Sequence, residues 1–71
     1  MRYNVGDIVR ISKKCHWYGR GVDNPKDTDG SIERINMDTT YLKFRVEWDN
    51  GGAAWYNEYD LKLRSRALVI L

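Results

Sequence analysis

The chain has 71 residues, with three Trp and five Tyr, and its twelve Lys and Arg against ten Asp and Glu give a formal net charge of +2. This length leaves room for one domain with one modest core and excludes a second domain. The hydrophobic share of 42% is too high for a disordered tail, and a charge of +2 is far below the positive excess typical of nucleic-acid-binding proteins.

Cys15 is the only cysteine, which excludes an internal disulfide and a disulfide-stapled secreted fold. A reducing compartment fits this composition. The first residues, MRYNVGDIV, lack the apolar segment of a signal peptide, and no stretch reaches the roughly 18 apolar residues that a membrane span needs. We therefore expect a cytoplasmic protein that does not enter a membrane.

The predicted elements begin with a strand at residues 7–11. Val9 and Ile11 share one face of this strand, whereas Arg10 takes the other face. Residues 12–29 lose the alternation and are rich in the turn-forming residues Gly, Asn, Pro and Asp. They are predicted to form one long loop, and loops of this length are usually functional.

Two central strands follow the long loop. Residues 30–36 carry Ile32 and Ile35, whose spacing of three indicates a strand with a bulge. Residues 41–48 show the clearest pattern of the chain, because apolar and charged residues alternate along them. The side chains predicted to face inward from this segment are Leu42, Phe44, Val46 and Trp48.

A hairpin and a short last strand complete the predicted sheet. Residues 49–52, with the sequence DNGG, tolerate the positive φ angles of a tight turn, so residues 53–56 are predicted as the returning strand. Residues 57–60 are too few for an α-helix and suit a single 3₁₀ turn. The last strand is predicted at residues 61–63.

This order of elements predicts an all-β fold, a small five-stranded SH3-like barrel with a long first loop and a 3₁₀ turn before the last strand. Curling five strands into a barrel removes the exposed edges that would otherwise invite aggregation. Residues 1–63 are assigned to the barrel and residues 64–71 to an apolar C-terminal extension. The predicted core consists of Val9, Ile11, Ile32, Leu42, Phe44, Val46, Trp48 and Leu61.

Several segments of the chain form a recognisable pattern. They are Val5–Arg10, Asn24-Pro25, Asp29-Gly30, Val46–Gly51, Tyr56 and Asp60-Leu61. Together they resemble the Mind-bomb/HERC2-type SH3-like repeat, and also short tailed-bacteriophage proteins of that type, over about residues 5–63. The chain departs from the pattern at Ala54, where small polar or Asn side chains are common, and at residues 64–71, which have no counterpart in it.

The resemblance implies a function as well as a fold. In ubiquitin ligases of this family, such repeats recognise peptide segments of partner proteins. A free-standing copy resembles a phage accessory protein, which implies a host or viral protein or peptide as partner and the host cytoplasm as location. A structural component of a virion is an alternative role.

No group of residues predicts catalysis or metal binding. Cys15 and His16 are adjacent, so on an extended chain they point in opposite directions, and a catalytic dyad needs hydrogen-bond reach. One Cys and one His are too few for structural zinc. Asp23, Asp27 and Asp29 lack the ligand spacing of a calcium loop and suit local turn capping. We therefore expect no enzyme activity, no metal and no cofactor.

A basic stretch with interleaved aromatics, residues 13–20, lies in the long loop. In an SH3-like barrel this loop borders a groove whose other wall is strand four and the 3₁₀ turn. Large aromatics and Arg are the usual hot-spot residues of protein interfaces. Trp17 and Tyr56 also suit the core, and that alternative stays open. The predicted partner-binding groove is lined by Trp17, Tyr18, Arg20, Trp55 and Tyr59.

Nucleic acid is the alternative ligand for the same part of the chain. Basic side chains would bind its phosphates while Trp17 or Trp55 stacks on a base. Added salt would weaken such binding steeply but would hardly affect an apolar peptide, which distinguishes the two ligands. The predicted nucleic-acid contacts are Lys13, Lys14, Arg20, Lys43 and Arg45.

The last five residues of the chain are all apolar. If they were exposed to water they would promote aggregation, so we expect them to be covered. One alternative is that residues 64–71 fold back as an extra C-terminal strand on an open edge of the barrel. A second is that the segment pairs with the same segment of a second copy of the chain, which would give a homodimer, or docks on the partner. A third is a free, frayed tail. The residues predicted to pair are Ala67, Leu68, Val69, Ile70 and Leu71.

Overall fold

A computed structural model gives the fold of the chain and describes residues 3–67. Five antiparallel strands form one sheet in this part of the chain, which confirms the predicted all-β class. The strands are β1 (Ile8–Ile11), β2 (Gly30–Ile35), β3 (Phe44–Trp48), β4 (Ala53–Tyr56) and β5 (Leu61–Ser65). The predicted 3₁₀ turn lies at Glu58–Asp60, between β4 and β5. None of the helical segments in this part of the chain is long and apolar enough to cross a membrane.

The strand order in the sheet is β4-β3-β2-β1-β5. β1 therefore pairs with both β2 and β5, although about 50 residues separate it from β5 in sequence. β4 and β5 are the edge strands, and no pairing joins them within residues 3–67. The sheet is consequently open, and the predicted closure into a barrel is not confirmed.

Four strand boundaries differ from the predicted ones: β1 begins and β2 ends within one residue of the prediction, and the boundaries of β3 and β5 differ by more. β3 begins at Phe44 instead of Tyr41, because Leu42 has a left-handed backbone with a φ of 50° that cannot continue a strand. β5 continues to Ser65, two residues beyond its predicted end. The proposed division at residue 64 thus falls inside a strand, and residues 68–71 lie outside the described part of the chain.

The bulge predicted in β2 is present. Ile32 pairs with Val46 and Arg34 with Arg45, so Glu33 is an extra residue between two consecutive pairs. The shift lets Ile32 and Ile35 both face the core despite their spacing of three.

The core lies on one face of the sheet. It comprises Tyr3, Val9, Ile11, Cys15, Ile32, Phe44, Val46, Trp48, Tyr56 and Leu61. Every predicted core residue is in this cluster except Leu42, which is only half-buried. The prediction for Leu42 was wrong because its left-handed backbone breaks the alternation that its neighbours in sequence suggested. Tyr56 belongs to the core, whereas the side chain of Trp17 is 50% exposed.

The tip of the long loop packs on the β3–β4 hairpin. The side-chain amide of Asn50 donates to the carbonyl of Val22 at 3.0 Å, and the backbone N–H of Ala53 donates to Asp23 Oδ1 at 3.2 Å. Gly52 permits this approach, since a side chain there would collide with the Val22 carbonyl. The loop is thereby fixed to the sheet instead of projecting from it.

Candidate functional site

A groove of about 690 Å³ lies between the β2–β3 loop and the 3₁₀ turn. We call it the aromatic groove. It is lined by Thr40, Tyr41, Lys43, Phe44, Asn57, Glu58, Tyr59 and Asp60. Phe44, which is 2% exposed, forms its floor and meets the ring of Tyr3 edge-on, with 5.3 Å between ring centroids.

The first wall of the aromatic groove is the β2–β3 loop, which local hydrogen bonds hold in shape. Asn36 N–H donates to the carbonyl of Lys43 at 2.8 Å, which closes the loop at its base. Near the tip, the hydroxyl of Thr39 accepts the N–H of Tyr41 at 3.1 Å. The Tyr41 side chain extends from this turn with 69% of its surface exposed.

The second wall is the 3₁₀ turn, which is tied to two other parts of the fold. The Tyr3 hydroxyl lies 3.0 Å from the Leu61 carbonyl and 3.2 Å from that of Glu58, and it can donate to either. Ser12 N–H donates to the carbonyl of Asp60 at 2.8 Å. The turn is therefore held from both sides, while its central side chain, Tyr59, is 78% exposed.

Asn57 joins the two walls. Its side-chain oxygen accepts the backbone N–H of Leu42 at 2.6 Å, and its own N–H donates to Asp60 Oδ2 at 3.1 Å. The bond to Asn57 accompanies the left-handed backbone of Leu42, a conformation that costs about 1–2 kcal/mol for a residue with a Cβ. Such strain often occurs beside functional surfaces, because the surrounding structure must hold it in place.

Comparisons with known proteins bear on the fold of this chain. No family model matches it, and no curated protein matches it. Among solved structures, its fold is similar to the NMR structure of the Bacillus subtilis protein YorP, with a TM-score of 0.68 and 22% sequence identity. That match covers 100% of this chain and 80% of the other. At this level of identity the likeness supports the fold alone.

The five residues of the predicted partner-binding groove lie in three places. Tyr59 lines the aromatic groove, as described above. Trp17, Tyr18 and Arg20 lie in the first turns of the long loop, and Trp55 lies on the outer face of β4. Of the five, only Tyr59 lines the aromatic groove, and the role of the set in binding stays a prediction.

The loop residues of that set contact each other and the core. The ring of Trp17 meets His16 edge-on at 5.1 Å, and Arg20 Nε donates to the His16 carbonyl at 2.9 Å. Tyr18 packs against the core, and its hydroxyl donates to Asp27 Oδ1 at 3.3 Å. Burial, with the neighbouring Asp27 carboxylate, raises the pKa of the Tyr18 hydroxyl.

Trp55 sits beside a group of charges on the outer face of the sheet. It is the cross-strand partner of Arg45, which forms an ion pair with Glu33. Glu33 and Glu47 also share a hydrogen bond, which lowers the pKa of Glu33 and raises that of Glu47. Trp55 is half-buried there, so only part of its indole faces solvent.

The predicted nucleic-acid contacts are also divided. Lys13 and Lys14 line a second groove beside β5, Lys43 lines the aromatic groove, and Arg45 lies on the outer sheet face. Arg20, also in the long loop, lines neither groove. The structure therefore provides no single surface for this set.

Residues considered for other chemistry have structural partners. Cys15 is buried in the core, and burial raises the pKa of its thiol, whereas the adjacent His16 is exposed. Asp29 accepts a hydrogen bond from Arg10 Nε at 2.7 Å. In residues 3–67, no three His, Cys, Asp or Glu side chains lie close enough to hold a metal ion.

Tyr41 and Asn57 are the site residues that sequence reasoning missed. The sequence pattern predicts Tyr41 at the start of a strand and Asn57 in a turn, with no further role for either. The signal for Tyr41 is its place directly after two threonines, which favour a turn over a regular strand end. The sequence offers no comparable signal for Asn57, since its partner Leu42 is 15 residues away.

Proposed function

We propose that this chain is a small non-enzymatic binding module that holds an extended peptide segment of another protein in the aromatic groove. The observation that carries the proposal is the pair of exposed tyrosines, Tyr41 on the β2–β3 loop and Tyr59 on the 3₁₀ turn, which line one groove together with the buried Phe44. Both walls are held by hydrogen bonds, so the groove is formed before a ligand arrives and binding costs little ordering of the protein.

The dimensions and composition of the groove suit a peptide. Its volume of about 690 Å³ falls within the usual range of ligand sites, which is about 300–1,000 Å³. Tyrosines offer large rigid surfaces with a polar tip, and aromatic-lined grooves take proline-rich or otherwise extended peptides.

Charge around the groove suggests one further feature of the ligand. Glu58 and Asp60 lie on the turn, and Lys43 lies on the loop, so carboxylates outnumber ammonium groups. A peptide with apolar or proline residues for the tyrosines and one basic residue near the turn would complement this arrangement.

The resemblance to Mind-bomb/HERC2-type repeats supports the same reading, since those repeats recognise peptide segments. It also supports an accessory role of the phage type, in which the partner is a host or viral protein in the host cytoplasm. Fold alone does not specify a partner, so the proposal depends on the groove itself.

A peptide-library selection followed by titration tests the proposal. Peptides of about twelve residues would be selected on the parent chain, and their affinities measured by calorimetry. We expect Tyr41→Ala and Tyr59→Ala each to weaken binding about tenfold or more, which corresponds to about 1.4 kcal/mol. Met37→Ala is the matched control, because Met37 is 67% exposed in the same loop but does not line the aromatic groove.

Two results would contradict the proposal. Selected peptides that bind the Tyr41→Ala/Tyr59→Ala double variant as tightly as the parent would exclude the aromatic groove. Loss of binding in Trp17→Ala or Trp55→Ala, with both tyrosine variants unaffected, would place the ligand on the predicted groove instead.

A further inference from the structure

A second groove, of about 380 Å³, lies between the start of the long loop and β5. We call it the basic groove. It is lined by Arg10, Ile11, Ser12, Lys13, Lys14, Asp27, Lys62, Leu63 and Arg64. These residues come from β1, the long loop and β5, so the surface exists only because β1 pairs with β5.

Positive charge is concentrated in the basic groove. Its lining contains five Lys and Arg side chains and one carboxylate, Asp27, a formal net charge of +4. Because the whole chain carries +2, all other residues together carry −2. The basic groove is therefore strongly positive, while the rest of the chain is negative overall. This charge distribution attracts a polyanion to one face of the protein.

The β strands place like charges directly opposite each other in this groove. Arg10 on β1 and Lys62 on β5 are cross-strand partners, an arrangement that destabilises a sheet. One oxygen of Asp29 lies 2.7 Å from Arg10 Nε and 3.8 Å from Arg64 Nε, so a single carboxylate faces two guanidinium groups. An uncompensated positive charge remains there, which an external anion can neutralise.

Lys13 and Lys14 add two ammonium groups at the corner of a fixed turn. Cys15 N–H donates to the Ser12 carbonyl at 2.9 Å, and Lys14 N–H donates to the Ser12 hydroxyl at 3.3 Å. Among the described residues, Lys13, Lys14 and Lys62 have no ion-pair partner.

We propose that the basic groove binds the phosphate backbone of a nucleic-acid duplex. The spread of cations along the groove matches a row of phosphates better than one isolated anion. Single-strand binders add aromatic side chains on which bases stack, and no aromatic residue lines the basic groove in the described chain. Binding through the backbone alone is independent of base sequence.

Fluorescence anisotropy with a labelled 20-base-pair DNA of arbitrary sequence tests this assignment. With three to four phosphate contacts, raising NaCl from about 50 to 200 mM should weaken binding about 40- to 150-fold. Lys62→Gln and Lys13→Gln should each weaken binding and reduce the slope of log K against log salt by about 1. Both side chains are exposed, and thermal melts would verify that the variants fold.

Arg34→Gln is the matched control, because it removes the same formal charge from an exposed position on β2 that lines neither groove. The slope should stay at the parent value in this variant. Equal effects of all three substitutions, or no binding at 50 mM salt, would overturn the proposal. Tighter binding of a single strand of equal length would overturn the assignment of a duplex, and preference for a phosphoserine peptide would replace nucleic acid as the ligand.

Discussion

The hydroxyl of Tyr56, on the last strand of the hairpin, lies 2.7 Å from the backbone carbonyl of Asp23 in the long loop. It is equally close to Asn24 Oδ1 and can donate its proton to either oxygen, while it accepts the indole N–H of Trp48 at 3.2 Å. Tyr56 is 1% exposed, whereas Asn24 is half-buried and Asp23 is exposed, so the network runs from the core to the surface. One buried side chain therefore joins the core to the loop whose turns carry Trp17 and Tyr18.

Removing that hydroxyl should destabilise the fold. In Tyr56→Phe the ring still fills the core, but Trp48 Nε1 loses its acceptor and the loop loses a donor, at a cost of about 1–3 kcal/mol. A chain of this length has about 4–10 kcal/mol in total. Urea unfolding measures the loss. Tyr41→Phe, at an exposed position, should change stability by less than about 0.5 kcal/mol, and an equal effect of both variants would contradict this role.

The same hydroxyl should make the fold sensitive to alkali. Burial raises the pKa of Tyr56 to about 12, whereas an unfolded tyrosine titrates near about 10. Below about pH 10 both states hold the proton and the contribution of Tyr56 to stability is complete. Between these two pKa values the unfolded chain loses the proton first, so stability falls as pH rises.

Unfolding free energies at pH 9 and at about pH 11.5 test this effect. The contribution from Tyr56 should amount to about 2 kcal/mol of lost stability over that interval. The Tyr56→Phe variant lacks the group and should lose correspondingly less than the parent. Parallel losses in the two proteins would show that other groups cause the alkaline sensitivity.

Asp7 should confer stability that disappears in acid. Asp7 is 1% exposed. Its carboxylate accepts the backbone N–H groups of Ala67 at 2.7 Å and Asn4 at 2.9 Å. Arg66 Nη1 also donates to it at 3.3 Å. Burial raises the pKa of Asp7, but these hydrogen bonds and the charge of Arg66 outweigh it, so the pKa lies below its ordinary value. The contribution is present above the unfolded pKa of about 4 and is lost as pH falls through the lower folded value.

The variant Asp7→Asn isolates this contribution. At pH 7 it should cost about 1–3 kcal/mol, because an amide cannot accept all three donors. Its stability should then fall less than that of the parent between pH 7 and pH 3. Asp38→Asn, at an exposed position of the β2–β3 loop, should leave both values unchanged. If the two variants had the same acid sensitivity, Asp7 would not be the responsible group.

Phe44 and Leu42 fit the same alternating pattern in the sequence, but replacing them by Ala should change the stability of the fold by very different amounts. Phe44 is 2% exposed at the centre of the core, so Phe44→Ala should cost about 3–5 kcal/mol and unfold much of the population. Leu42 is half-buried on a left-handed backbone, and Leu42→Ala should cost less than about 1.5 kcal/mol. Thermal melts of both variants measure these losses of stability. Similar losses in the two variants would mean that Leu42 belongs to the core.

The fold was predictable where local patterns were strong. Alternation in residues 41–48, the turn-forming sequence at 49–52 and the spacing of Ile32 and Ile35 all indicated elements that are present. Leu42 shows the limit of such patterns. Its identity fits the alternation, but its backbone is left-handed and its N–H donates to Asn57, a distant residue that no periodicity reveals.

The candidate sites were less predictable because they depend on which strands become neighbours. Arg10 and Lys62 come into register only when β1 pairs with β5, and the overall charge of +2 gave no hint of their common surface. The residue type of Tyr59 and its place in the turn predict it as a site residue, and it lines the aromatic groove. The loop that lines this groove beside it could not be predicted, because the β2–β3 loop and the long loop are equally plausible neighbours of that turn in sequence.

A short deletion at the C-terminus tests the predicted homodimer. Arg66 and Ala67 are bound to Asp7 of the same chain, so removing them would destabilise the monomer whether or not a dimer forms. Deleting only residues 68–71 keeps those bonds. If this segment pairs between chains, the deletion should halve the mass measured by sedimentation equilibrium and leave the described fold intact.

If the segment instead forms an extra strand within its own chain, the same deletion should lower the melting temperature and leave the mass unchanged. The variant Ala67→Gly gives a control, because it keeps the backbone N–H that donates to Asp7 and removes only the methyl group beside Gly6. It should retain the parent mass under either arrangement. A parent chain that is already monomeric at millimolar concentration would exclude the homodimer, and the apolar end of the chain would then have to be covered by its own sheet or by the bound partner.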